Sequence, residues 1–439
     1  MRSVLNVVPF ALFACATASA ATSEVAIRGV SFEQPGGAGS ALIKYTLDEA
    51  PVIVTIDVQT NTLDNGAGSW VSLGGSVVKT ISGDFGIVRK TGACEARWAA
   101  SHDWPGNVVA TDRIRAVVTA WATNAPPDYM VLGLKKSNDI RFYAESGHVP
   151  YGVTNDLYKG EQLLMRRIPA AGRIWTMGIT PKEYANETMV PTNSIPHKVM
   201  LTKDYFMGVY EVTQCQYTNI GMSAVSGYTG YPDSWKRPVS GISNASMRGG
   251  LANVNGTYNV VGTSACDYLY KLSGKKIEFD LPTEAQWEFA CRAGWDTAYN
   301  NGTSATEANL NLIAWNNNNT KTDTTDNQTQ THPVGLKAPN AFGLYDMHGN
   351  VQERCLDRYT TGDDYLATLA PGFENGAVTV DPRGGRTWSI DRQLVMRGGS
   401  ISHGIDEARS GRRGSGSYNV GGDSYRYNGF RVCCPAVFR

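Results

Sequence analysis

The chain carries no excess of either charge: 40 Lys and Arg stand against 40 Asp and Glu in 439 residues. With no lysine-rich tail either, nucleic acid is excluded as a partner on electrostatic grounds. After the first 20 residues no apolar run is long enough to span a bilayer. No Cys-x-x-Cys pair occurs and no histidines lie beside the cysteines, which removes the usual zinc-site spacings. Histidine is scarce, six in all, and His102 is the only one before residue 148. No internal repeat is present.

What is there instead is Gly, Asn, Thr and Ser, with aromatic residues at 10%. This polar but weakly charged composition suits a loop-rich β or α+β protein made for export. Residues 1–20 read as a signal peptide, with Arg2 as the positive start, residues 4–14 as the apolar region and Ala18-Ser-Ala20 as the cleavage site. Lipid attachment at Cys15, through Leu12-Phe-Ala-Cys15, is the alternative; Phe13 stands where a small residue is more usual. The expected location is secreted, periplasmic or cell-surface. Cleavage after Ala20 leaves Cys94, Cys215, Cys266, Cys291, Cys355, Cys433 and Cys434, an odd number, so at least one thiol is free or pairs with another chain. An oxidising compartment permits disulfides among the rest.

Alternating and β-branched runs predict a β-sandwich-like domain over 21–125. Its strands are expected in Ser40-Ala-Leu-Ile-Lys-Tyr-Thr-Leu47, in Val52-Ile-Val-Thr-Ile-Asp-Val58, and within 74–81 and 112–121. His102, in an aromatic loop over 97–106, is expected to pack and hydrogen-bond within that loop. Residues 126–164 are expected to link or bridge, and 165–439 to form an α+β domain poor in regular secondary structure. Helices are expected after Thr213, over 264–273, and in Leu281-Pro-Thr-Glu-Ala-Gln-Trp-Glu-Phe-Ala-Cys-Arg-Ala-Gly294. There Thr283 and Gln286 can form a capping box and Gly294 a left-handed exit. Residues 316–330 read as a polar loop and 361–394 as a poorly patterned insertion.

The stretch 332–353 organises the second domain: glycines, prolines and buried-type side chains alternate too irregularly for a helix or strand. Asp346 and Glu353 lie beside carbonyls that a compact turn can aim inward. Such an oxygen set suits Ca2+, and the plainer reading is an Asx-turn with two solvated carboxylates.

Segments 167–178, 196–217, 266–294, 332–353, 395–400, 409–413 and 428–432 together resemble the formylglycine-generating enzyme (sulfatase-modifying factor) family, over about residues 165 to 439. The resemblance implies a compact α+β module related in shape to C-type lectins. It implies structural Ca2+ held by Asp346 and Glu353 side chains with Gly349 and Val351 carbonyls. Gln352 and Arg354 stand where the family usually has Trp. It also implies a disulfide from Cys266 to Cys433 or Cys434, while Cys291 lacks its usual partner and Cys355 is a substitute.

Oxidases of the family hold Cu(I) with two cysteines beyond the Gly-Gly-Ser motif and convert a substrate cysteine to formylglycine. Here His403 stands at the first of those positions and Ala408 at the second by simple counting. One imidazole does not replace two soft thiolates, so no copper is expected and the chain reads as a pseudoenzyme. The alternative is a copper-dependent formylglycine-generating oxidase acting on a sulfatase cysteine, or another oxidase of the family. An iron site like that of the related sulfoxide synthases is a poor fit, since the first domain has so little histidine. A metal at His403 with Asp406 and Glu407 is set against a solvated loop.

The expected function is recognition, with a cleft lined by Arg397, His403, Arg409, Arg412, Arg413, Tyr425, Arg426, Tyr427 and Asn428. Arginines and tyrosines suit a glycan, an anionic small molecule or a protein partner. Internal salt bridges are the competing use of the same arginines.

Overall fold

Inward-facing side chains of two antiparallel sheets build the first unit. Strand Ala41–Leu47 buries Ile43, Tyr45 and Leu47 and exposes Lys44, the period-two pattern of a half-buried strand. It lies between Ile27–Glu33 and Gly92–Trp98, with Ile81–Gly83 beyond. Val52–Asn61 pairs with Trp70–Ser72, Gly86–Val88 and Ile114–Ala122 in the facing sheet. Ile43, Tyr45 and Leu47 meet Val52, Val54 and Ala120 between the sheets, so the strand-rich, sandwich-like expectation holds.

The computed structural model describes residues 27–34, 39–63, 68–107, 111–183, 193–223, 231, 233–249, 260, 262–320, 330–384, 393–417 and 426–438. The expected signal peptide and the Cys15 alternative lie outside them. No helix among the described residues is long and apolar enough to cross a membrane.

The strand expected over 74–81 is corrected to a short helix, Gly74–Val77, before Ile81–Gly83. Gly74 adopts φ 62°, and a Cβ on Gly75 would clash with the Val149 carbonyl. The glycine pair is used for close approach to the turn Ser146–His148, which a pleated strand cannot make. His102 makes the expected local bond, its Nδ1 3.0 Å from Asp103 Oδ1.

The second unit is more irregular. Its largest sheet runs Ile140–Tyr143, Tyr129–Gly133, Gln162–Ile168, Tyr205–Gly208, Cys433–Pro435, antiparallel throughout. The bridging strands expected within 126–164 therefore belong to this sheet. Val378–Val380, within the expected insertion, pairs in parallel with His197–Met200. A further sheet orders Gly414–Ser417, Gln393–Arg397, Gln352–Arg358 and Asn428–Gly429. Helix Gln214–Asn219 carries the Thr213/Gln216 capping box, and Glu284–Arg292 carries the Thr283/Gln286 box. The second helix leaves through Ala293, φ 47°, one residue before the expected glycine.

Two expectations fail. The seven cysteines from Cys94 to Cys434 are all free thiols, so the Cys266 bridge to Cys433 or Cys434 is not formed, nor one between Cys291 and Cys355. Adjacent Cys433 and Cys434 pack into different core clusters, as strand alternation requires, and serve there as small apolar side chains. The described residues also contain no group of three or more His, Cys, Asp or Glu that could hold a metal ion. The C-type-lectin-like likeness, with a lectin's metal cluster, is therefore withdrawn.

Candidate functional site

Helix Glu284–Arg292 places Glu284, Glu288 and Arg292 four residues apart, hence on one face, and buries all three. Arg397 reaches both carboxylates, Nη2 lying 2.7 Å from Glu284 and 2.6 Å from Glu288. Arg413 contacts Glu284 at 2.6 Å, while Arg292 contacts Glu288 at 2.8 Å and Glu183 at 2.6 Å. Charge thus alternates through the core: Glu183, Arg292, Glu288, Arg397, Glu284, Arg413. Arg397 also donates to the Ser410 and Arg412 carbonyls at 3.1 and 3.0 Å, which fixes that segment against the helix.

Burial and charge compete along this chain. Burial opposes the Glu284 carboxylate, but Arg413 and Arg397 outweigh it and hold it below the usual range. Burial pushes Glu183 up to about 7 despite Arg292 and the Thr180 N–H, which oppose it. Asp357 rises to about 7 through burial and then the nearby Glu284 charge, whose amide N–H its Oδ2 accepts at 2.6 Å.

The turn Gly398-Gly-Ser400 presses on the same face. Gly398 and Gly399 adopt φ 85° and 70°, and a Cβ on Gly399 would lie 3.1 Å from the Ala408 Cα. Ser400 is fully buried; its Oγ lies 2.7 Å from His403 Nδ1 and accepts the Ser402 N–H at 3.2 Å. Burial pushes the His403 pKa down, and the Glu407 charge opposes this. The Ala408 methyl packs with Ala298, Tyr299, Leu310 and Ile313. His348 braces this loop: Nδ1 donates to the Ala408 carbonyl at 2.6 Å and Nε2 accepts the Asn300 N–H at 3.2 Å. Burial pushes its pKa down to about 4, so it is neutral.

Beside it, in the 332–353 loop, the Asp346 and Glu353 carboxylates are buried, not solvated. Asp346 Oδ2 accepts the Gly335 N–H at 2.6 Å, while Oδ1 is buried with no hydrogen-bond partner among the described residues. Burial raises the Asp346 pKa to about 6. Glu353 is committed elsewhere: Arg431 Nε and Nη2 donate to it at 2.9 and 2.7 Å, and Trp287 Nε1 at 2.7 Å. Glu211 accepts from the Asn350 amide at 2.7 Å and the Val351 N–H at 3.1 Å. Burial, then the Asp346 and Glu353 charges, raise its pKa well above the ordinary value.

Eight of the nine residues expected to line a ligand cleft are described, and they differ in exposure. Arg397, Arg409 and Arg413 are buried, Arg409 pairing with Asp406 at 2.7 Å. Asn428 is buried in its strand, opposite Gln352. Arg412 and His403 are partly exposed, and Arg426 stacks on its own neighbour Tyr427 at 5.1 Å. Tyr425 lies outside the described residues. Glu183, Glu211, Glu284, Glu288 and His348 were missed. Only the two helical glutamates had a sequence signal, their four-residue spacing.

The family described as sulfatase-modifying factor enzyme 1-like domain matches residues 170–435. The chain is 36% identical over 160 residues to a formylglycine-generating enzyme of Thermomonospora curvata, covering 36% of this chain and 50% of that protein. It is 30% identical over 192 residues to the chaperone protein LppX of Paenibacillus barcinonensis, covering 38% and 66%. The chain thus spans half to two thirds of the length of these relatives. Among solved structures, Treponema denticola variable protein 1 aligns with TM-score 0.46 and 24% identity over 62% of this chain and 95% of that one. PvdO from Pseudomonas aeruginosa aligns with TM-score 0.42 and 22% identity over 62% and 94%.

Proposed function

Because the chain belongs to the sulfatase-modifying factor family through residues 170–435, we propose that it is a member whose module recognises a ligand or partner and does not oxidise cysteine. One observation carries this reading. At the two positions that the resemblance gives to copper-binding cysteines stand His403, bonded to Ser400 Oγ at 2.7 Å, and Ala408, packed in an apolar cluster. Cu(I) favours a pair of thiolates, and one imidazole beside a methyl group does not supply it. Burial raises the pKa values of all seven remaining thiols, Cys94, Cys215, Cys266, Cys291, Cys355, Cys433 and Cys434, which disfavours the thiolate form.

The test is an anaerobic Cu(I) titration followed by aerobic incubation with a sulfatase-type cysteine peptide, read by mass spectrometry. The expected result is weak copper binding and an unchanged peptide. One-to-one tight copper with conversion of the thiol to an aldehyde overturns the reading.

Calcium at the 332–353 loop belongs to the same proposal. The partnerless Asp346 Oδ1 supports a cation there, with the Gly349 and Val351 carbonyls as further oxygens. Glu353, already neutralised by Arg431, does not fit as the fourth ligand in this arrangement. Such an ion would serve only to fix the loop.

A further inference from the structure

Three of the arginines that drew attention in the sequence, Arg397, Arg409 and Arg413, are buried in the fold, whereas further cations border a different feature. A cleft of about 790 Å³ lies beside the strand Cys433–Pro435, bordered by Lys203, Lys275, Lys276 and Arg383. Lys203, Lys275 and Arg383 form no ion pair among the described residues. Lys276 donates only to the Asn138 side chain, at 2.6 Å. Burial, and then the Arg89 charge, push its pKa down.

Two of the four carboxylates in the walls are already neutralised. Asp280 is gripped by Arg248 at 2.7 and 2.9 Å, and Asp204 by Arg167 at 2.9 Å. Asp381, which accepts the Thr202 N–H and hydroxyl, and Glu278 form no ion pair among the described residues, and Tyr270 also borders the space. Two lining residues, Lys275 at φ 61° and Asp381 at φ 44°, hold a left-handed backbone that side chains rarely adopt. Strain of this kind, kept where a glycine would relieve it, collects at binding sites.

We propose that this cleft binds an acidic oligosaccharide, a chain of sugars bearing carboxylates. The inference rests on the recognition reading of the module and moves the ligand away from the arginine segment. Four cations on separate segments suit carboxylates spaced along a chain. Glu278 and the remaining lone pairs of Asp381 can accept sugar hydroxyls, whereas a ligand with anionic groups alone would be repelled by the two carboxylates. Tyr270 offers a flat apolar face to a pyranose ring.

Isothermal titration calorimetry with the full-length chain and a galacturonate hexamer tests this, with maltohexaose and hexaglutamate as comparison ligands. The galacturonate hexamer should bind, more weakly as salt is raised, and the other two should not. Lys203→Gln combined with Lys275→Gln should weaken binding about tenfold, with the melting temperature unchanged because both lysines are exposed. Arg412→Gln should bind as the parent does. Absence of galacturonate binding, equal binding of hexaglutamate, or an unaffected double variant overturns the proposal. Loss of binding in Arg412→Gln alone overturns this cleft while leaving the recognition reading in place.

Discussion

Arg431 and Glu353 form a fully buried pair, with guanidinium Nε equidistant at 2.9 Å from both carboxylate oxygens. The same guanidinium also donates to the carbonyls of Gly208 and Tyr345, each at 2.8 Å, so one side chain ties the central sheet to the 332–353 loop. Removing one partner strands a charge in a dry interior. Arg431→Met should destabilise the protein by about 3–5 kcal/mol, and the double variant with Glu353→Leu should recover part of that loss. Urea unfolding of the single and double variants checks both.

Glu183 predicts a pH dependence. Its folded pKa of about 7 exceeds the ordinary carboxyl value of 4.5, so the folded state holds a proton that the unfolded chain releases. Its contribution to stability is full below pH 4.5 and is lost as pH rises through about 7. Glu183→Gln removes that loss, so the stability of the parent relative to this variant should fall across the window. His348 works in the opposite sense. Its folded pKa of about 4 lies below the ordinary 6.5, so its contribution is present above pH 6.5 and fades as pH falls. Urea midpoints measured from pH 4 to 8 on both proteins separate the two effects, because His348 is common to them.

Calcium, if held at Asp346, stabilises by mass action, by about 2.7 kcal/mol at a hundredfold excess over Kd. Thermal melts with calcium and with chelator should differ for the parent and coincide for Asp346→Asn. Coincident melts of the parent itself would reduce the loop to a buried turn.

A smaller change tests the glycine pair. Gly75→Ala places a methyl against the Val149 carbonyl and should cost about 1–3 kcal/mol, the usual range for overpacking. Ala at Gly92, where nothing lies within 4 Å of the added carbon, is the control for added bulk, although its φ of 84° carries a strain of its own.

What the sequence disclosed was local. Thr213 with Gln216 and Thr283 with Gln286 each announce a helix start within four residues, and both boxes form. Ala41–Leu47 and Val52–Asn61 could be read from alternation and β-branching. The short helix at Gly74–Val77 could not, because its reason, the Val149 carbonyl, lies in another segment. The arginines were the least legible. Their type pointed outward to an anion, but Glu284 and Glu288 lie 129 and 109 residues away from Arg413 and Arg397, and only the fold brings each pair together. An arginine in a sequence names the charge it needs, not where that charge comes from.

The strand Cys433–Pro435 closes the central sheet against Tyr205–Gly208, and Arg431 just before it reaches back 223 residues to the Gly208 carbonyl. Synthesis delivers this strand long after its partners, and contacts of such span are the slowest to close. During translation the second unit therefore waits with an open sheet edge beside Tyr205–Gly208. A nascent chain in that state exposes a strand edge open to pairing with a second chain until residue 435 has emerged.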